Sequence, residues 1–229
     1  MDTIRERIDP LIADRAPWFF RDTPTSRRVR RVFEWLLRYD ECIGVAGDIE
    51  HMHSKEMVRH LASIIAKNVT HKGLSNIPAS GPALIVSNHP TGIADGVILQ
   101  HVMREVRDDA YVFANADIIR VLTNFDTMIA PVEWREDKRT RAKTRETMVY
   151  TRQAVDEGRI GIIFPSGRLS KRVGLRLHER PWMSSAAMIA RKFDLPIIPV
   201  NIRARNSSLF YLFDFLHPTL RDITLFYET

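Results

Sequence analysis

Two kinds of hydrophobic spacing follow one another along this chain. Over the first 69 or so residues, apolar side chains recur at helical intervals. Val32, Phe33, Leu36, Leu37 and Tyr39, with Trp35 broadening the stripe, predict a helix over 27–41; Met57, Leu61, Ile64 and Ile65 predict a second over 53–68. From about residue 70, short apolar runs alternate with helical periods. The runs predict strands at 83–86, 110–114, 127–132, 160–164 and 196–202, with helices at about 94–106, 116–122, 138–157, 182–193 and 206–216. Strands rich in Val and Ile, separated by helices instead of tight turns, predict an α/β fold with a mixed, largely parallel sheet flanked by helices. The change of period divides the chain into an N-terminal helical segment, 1–69, and an α/β domain, 70–229. Residues 1–25 fit either of two readings. Pro10 and Pro17 interrupt a cluster of Leu11, Ile12, Trp18, Phe19 and Phe20 beside Arg15 and Arg21, which suits an arm at a membrane interface or one packed on the core.

Composition narrows the class without choosing a function. Apolar residues make up 45% of the 229, enough to bury a core. The formal charge of +6 and a sequence pI near 9.7 favour an anionic partner: a membrane surface, a phosphorylated substrate or nucleic acid. Arg27, Arg28, Arg30 and Arg31 crowd the start of the first predicted helix, where cations oppose the macrodipole, and so invite an external anion. A single cysteine, Cys42, excludes an internal disulfide, and no run approaches the length of a spanning helix. His51, His53 and His60 lack metal-ligand spacing, so no metal is expected.

The candidate chemistry gathers after the predicted strands, where sites collect in α/β folds. After 83–86 comes Ser87-Asn88-His89-Pro90-Thr91-Gly92-Ile93-Ala94-Asp95-Gly96. Its proline and glycine let the chain turn so that Asp95 meets His89. Such a contact makes an acid/base pair, while a turn histidine beside an Asx cap is the plainer reading of the same residues. After 160–164 comes Pro165-Ser166-Gly167-Arg168-Leu169-Ser170-Lys171-Arg172, a turn with three cations that reads as an anion cradle or as a solvated basic loop. Ser166 is not in a Gly-x-Ser-x-Gly elbow, so a serine hydrolase lacks its signature. Arg135 follows the strand that ends Pro131-Val132, and Arg203 and Arg205 follow the last strand.

The order Asn-His-Pro-Thr-Gly-Ile-Ala-Asp-Gly, then Ile-Ala-Pro-Val with Arg135, then Ile-Phe-Pro-Ser-Gly-Arg, then Ile-Ile-Pro-Val resembles the phospholipid/glycerol acyltransferase family, lysophosphatidic acid acyltransferase type, over roughly 80–205. The resemblance implies the glycerolipid acyltransferase fold behind an N-terminal amphipathic helical pair that seats the enzyme on a membrane, to which 27–68 is similar. It also implies transfer of an acyl group from acyl-CoA or acyl carrier protein to a lysophospholipid such as 1-acylglycerol-3-phosphate, at the cytoplasmic face of the inner membrane. His89 would be the general base and Asp95 its orienter. Arg135, Ser166, Gly167, Arg168 and Lys171 would form the substrate-binding set, holding the oxyanion or the acceptor's phosphate. No cofactor is implied, because the thioester is a cosubstrate.

Two departures alter the expected acceptor. Five residues separate His89 from Asp95 where the usual block has four, and Ser166 with Arg168 stands where Phe-Pro-Glu-Gly-Thr-Arg is usual. Both are similar to the subgroup that contains ornithine-lipid acyltransferases and hemolysin-like proteins, which makes O-acylation of an amino-acid lipid the alternative. A non-enzymatic basic protein binding membrane or nucleic acid is the competing class. No zinc pattern or RNP-like strand supports a nucleic-acid partner. The segment 218–227 reads as the start of another strand, so a natural chain longer than Thr229 is expected.

Overall fold

The computed structural model describes residues 4–133, 138–174 and 176–216. Its strands are β1 (Ala83–Ser87), β2 (Tyr111–Asn115), β3 (Ile129–Val132), β4 (Ile160–Ile163), β5 (Lys171–Val173), β6 (Arg176–His178) and β7 (Ile197–Val200). Five of them form one parallel sheet in the order β3-β2-β4-β1-β7, and β5 and β6 pair as a separate antiparallel hairpin. Every residue of β1 is buried, as expected of a strand covered on both faces and flanked by β4 and β7. Pro131 and Pro199 lie in β3 and β7, the outermost strands of this sheet, where a missing backbone N–H breaks no central ladder.

Alternation along the strands sorts the core into two layers. Ala83, Ile85, Val112, Ile129, Ile160 and Ile162 face one side, against Met57, Val58, Leu61 and Ala62 of α4 (Ser54–Ile65) and Val97, Leu99 and Met103 of α5 (Ile93–Met103). Leu84, Val86, Tyr111, Phe113, Ala130 and Ile163 face the other, against Ala154 of α7 (Arg141–Asp156) and Ala186, Ile189, Ala190 and Phe193 of α8 (Ser185–Phe193). Full burial of an aliphatic side chain contributes roughly 1.5–3 kcal/mol. That contribution, more than propensity, holds these short helices on the sheet.

A third cluster joins α1 (Ile4–Arg15), α2 (Pro24–Leu36), α3 (Tyr39–Ile49) and α9 (Ser208–Leu216). The segment that resembles a helical pair is therefore α2, α3 and α4, with α1 ahead of it. α1 forms despite Pro10 because Ile4, Ile8, Leu11 and Ile12 recur on one face and are buried. Phe19 is buried with them, so this part of the arm is packed on the protein. The helix predicted over 27–41 breaks at Arg38, whose backbone is left-handed at φ 55, and Tyr39 turns inward to begin α3. From α9, Phe213 stacks on Phe33 of α2 at 5.3 Å. No helix among the described residues is long and apolar enough to cross a membrane.

Because the five strands are parallel and β1 lies between β4 and β7, the loops that leave these three strands emerge side by side. The Asn88 side chain ties two of them together: Nδ2 donates to the Ile202 carbonyl at 2.8 Å, and Oδ1 accepts from the Ile202 N–H at 2.7 Å.

Candidate active site

His89 lies two residues beyond β1, and Asp95 lies in the first turn of α5. Asp95 Oδ2 is 2.9 Å from His89 Nδ1. The same oxygen accepts the backbone N–H groups of Thr91 at 2.9 Å and Gly92 at 3.0 Å, and Oδ1 accepts the Thr91 hydroxyl. A carboxylate that already receives backbone donors is an acceptor, so the ring donates at Nδ1 and keeps its lone pair at Nε2. Among the described residues no group bonds to Nε2, and the His89 side chain is 20% exposed against 0% for Asp95. The imidazole also lies flat on Phe164, with centroids 4.2 Å apart and planes 20° from parallel. The carboxylate holds one edge and the phenyl ring one face, leaving the Nε2 edge open. The two readings of Asp95, helix cap and partner of His89, are both realised by one carboxylate.

The second loop folds against the first. The Ser170 N–H donates to the His89 carbonyl at 2.9 Å, and Glu179 Oε2 accepts the His89 N–H at 3.3 Å. These contacts fix the basic loop 165–172 beside the histidine. The hairpin of β5 and β6 that follows was not expected from its sequence, since its short strands are largely polar and exposed.

The sequence profile described as Acyltransferase matches residues 68–203, more than half of the chain and including both loops. The chain belongs to the acyltransferase family. Among curated proteins it is 25% identical over 176 residues to a lyso-glycine lipid O-acyltransferase of Phocaeicola vulgatus, covering 77% of this chain and 61% of that one. It is 23% identical over 204 residues to a lyso-glycine lipid O-acyltransferase of Bacteroides thetaiotaomicron, covering 89% of this chain and 72% of that one. The chain thus spans a little under two thirds of the length of the first relative.

Within this acyltransferase chain the expected site residues differ in their placement. His89 and Asp95 are in contact. Ser166 is buried and its hydroxyl donates to the Arg168 carbonyl at 2.9 Å, so it shapes the turn. Gly167 makes the turn at φ 60, a left-handed conformation that disfavours side chains, and a Cβ there would lie 3.0 Å from the Met183 methyl. Its N–H donates to the Phe164 carbonyl at 2.9 Å, so it serves the turn and is not an open anion donor. Arg168 and Lys171 are exposed along the loop. Arg135 lies outside the described residues.

Three residues beside the histidine stood in the quoted motifs without a role assigned to them from the sequence. Phe164 closed the predicted strand 160–164, and Asn88 and Thr91 stood in the stretch around His89. Thr91 reaches Asp95 four residues on, whereas the contacts of Asn88 with Ile202 and of Phe164 with His89 join positions that the parallel-strand topology brings together.

Proposed function

We propose that this chain transfers a fatty acyl group from a thioester to the hydroxyl of a lyso-amino-acid lipid, with His89 as general base and Asp95 as its orienter. The observation that carries this reading is the His89–Asp95 contact, which leaves Nε2 as the open proton acceptor. The hydroxyl oxygen attacks the thioester carbonyl as Nε2 takes its proton. The tetrahedral intermediate collapses with cleavage of the C–S bond, and the imidazolium returns the proton to the departing thiolate. Asp95 holds the ring in the required tautomer and stabilises its charged form. Acyl-CoA and acyl carrier protein both supply the thioester chemistry.

The acceptor class is supported by the activity for which both relatives are named and by Ser166 in place of the family's usual glutamate. Arg168, Lys171 and Arg135 supply positive charge for the headgroup anion or the developing oxyanion. The outer face of α2 supports peripheral attachment to an anionic membrane. It exposes Val32, Trp35 and Leu36 beside Arg28 and Arg31, which pair with no acid among the described residues. The neighbouring Arg30 is occupied internally by Asp9 at 3.0 Å and Glu34 at 2.8 Å.

The test is thiol release from long-chain acyl-CoA and acyl carrier protein with lyso-glycine lipid, lyso-ornithine lipid and 1-acylglycerol-3-phosphate as acceptors. Release that depends on an amino-acid lipid and falls by about two to four powers of ten in His89→Ala is expected. Preference for 1-acylglycerol-3-phosphate would overturn the acceptor class, and wild-type rates in His89→Ala would overturn the base.

A further inference from the structure

Glu179 follows β6 and takes no part in the His89–Asp95 pair, yet its carboxylate meets three groups around it. Oε2 accepts the backbone N–H of His89 at 3.3 Å and the Ser170 hydroxyl at 2.6 Å, while Oε1 accepts Trp182 Nε1–H at 3.2 Å. Ser170 completes the ring of contacts by donating its N–H to the His89 carbonyl at 2.9 Å. The backbone of His89 is therefore held on both sides, its N–H by Glu179 and its carbonyl by Ser170, and those two residues hold each other. His89 lies outside the strand and the helix, so these bonds stand in for the ladder that fixes backbone elsewhere.

We infer that Glu179 is a positioning residue for His89, locking the backbone from which the imidazole is aimed and tying it to the basic loop 165–172. This rests on the acyl-transfer reading of His89. Asp95 and Phe164 fix the ring, but a ring is aimed only as well as its Cα is placed. Glu179 supplies that placement through one carboxylate oxygen, which accepts both the His89 N–H at 3.3 Å and the Ser170 hydroxyl at 2.6 Å. Because the same carboxylate holds Ser170, the base and the anion-binding loop keep a constant separation during the reaction.

The experiment combines kinetics with hydrogen exchange in Glu179→Ala, Glu179→Gln, Ser170→Ala and the Glu179→Ala/Ser170→Ala double variant. A misplacement of about 1 Å costs up to about a hundredfold in rate, so Glu179→Ala is expected to lower kcat ten- to hundredfold. KM for donor and acceptor should change by less than about threefold, since neither substrate is held by this carboxylate. Glu179→Gln keeps an oxygen that can accept from His89 and Ser170, and should retain most of kcat. The double variant should be little worse than Glu179→Ala, because both changes open one lock. Amide exchange in the peptide spanning residues 87–92 should speed up in Glu179→Ala and stay near wild type in Glu179→Gln, with matching circular dichroism. If Glu179→Ala does not fold, Ser170→Ala still tests the lock through a smaller loss in kcat alone. Unchanged exchange, a loss confined to KM, or additive losses in the double variant would each overturn the inference. A wild-type chain inactive with every acceptor would defeat the acyl-transfer reading, whereas the exchange measurement would still decide whether Glu179 locks the His89 backbone.

Discussion

At the scale of single residues, Asp95 does two jobs, which separates it experimentally from His89. Its carboxylate orients the imidazole and also receives the Thr91 and Gly92 N–H groups at the start of α5. Asp95→Ala should therefore lose activity and also about 1–3 kcal/mol of stability, because buried donors are left unpaired. His89→Ala should lose activity with little change in melting temperature. Thermal melts of the two variants beside thiol-release rates check this, and equal melting temperatures would remove the capping role. Tyr111 is a second residue with a measurable signature. Its hydroxyl is buried with no partner among the described residues, and burial raises the phenol above its ordinary 10.0, against the opposing charge of Arg159 over the ring at 5.4 Å. A folded-state value above the unfolded one means that the stability from the neutral phenol is fully present below about pH 10 and is lost as pH rises further. Tyr111→Phe should stabilise the protein by about 1 kcal/mol at neutral pH and flatten its alkaline decline, read from denaturant midpoints between pH 8 and 11.

At the scale of elements, the approach of β2 to β4 leaves no room at Gly161. A Cβ there would lie 2.8 Å from both Cζ and the hydroxyl oxygen of Tyr111 and 3.2 Å from Leu84 Cδ1. Gly161→Ala should cost about 1–3 kcal/mol through overpacking. Adding Tyr111→Phe should recover little of it, since Cζ remains. Chemical denaturation of the single and double variants decides the point. The helices show what pattern can and cannot reveal. α4 and α7 were legible from their helical spacing of apolar residues. The break at Arg38 was not legible, since the apolar stripe runs on through Leu37 and Tyr39, and it is the burial of Tyr39 in the third cluster that turns the chain. α1 was obscured by Pro10, although Ile4, Ile8, Leu11 and Ile12 carried the period. The hairpin of β5 and β6 lacks the apolar alternation that marks a strand covered by a core.

At the scale of the molecule, a charge of +6 and the outer face of α2 make the prediction about surfaces. Binding to vesicles containing anionic lipid should weaken as salt rises, because exposed cations are screened beyond about 8 Å at physiological ionic strength. Trp35→Ala and a paired Arg28→Glu/Arg31→Glu variant should each reduce binding at low salt, the first with less effect on the salt dependence. Vesicle flotation checks this, and undiminished binding in both would locate the contact elsewhere.

The sequence alone determined the α/β alternation, the five strands of the parallel sheet and the main helices after residue 70, and the stretches that hold His89, Asp95 and the basic residues, because burial on a sheet imposes periods of its own and each stretch is written contiguously. The spacing of residues 89 and 95 allowed their contact, and the family resemblance implied the pairing. The tertiary structure decided the sheet order β3-β2-β4-β1-β7 and, through it, which loops are neighbours. That order brings Phe164 under the imidazole, Ile202 onto Asn88 and Glu179 onto the His89 backbone. No local pattern encodes such contacts: a hydrogen bond between residues 90 positions apart depends on the path of the whole chain between them.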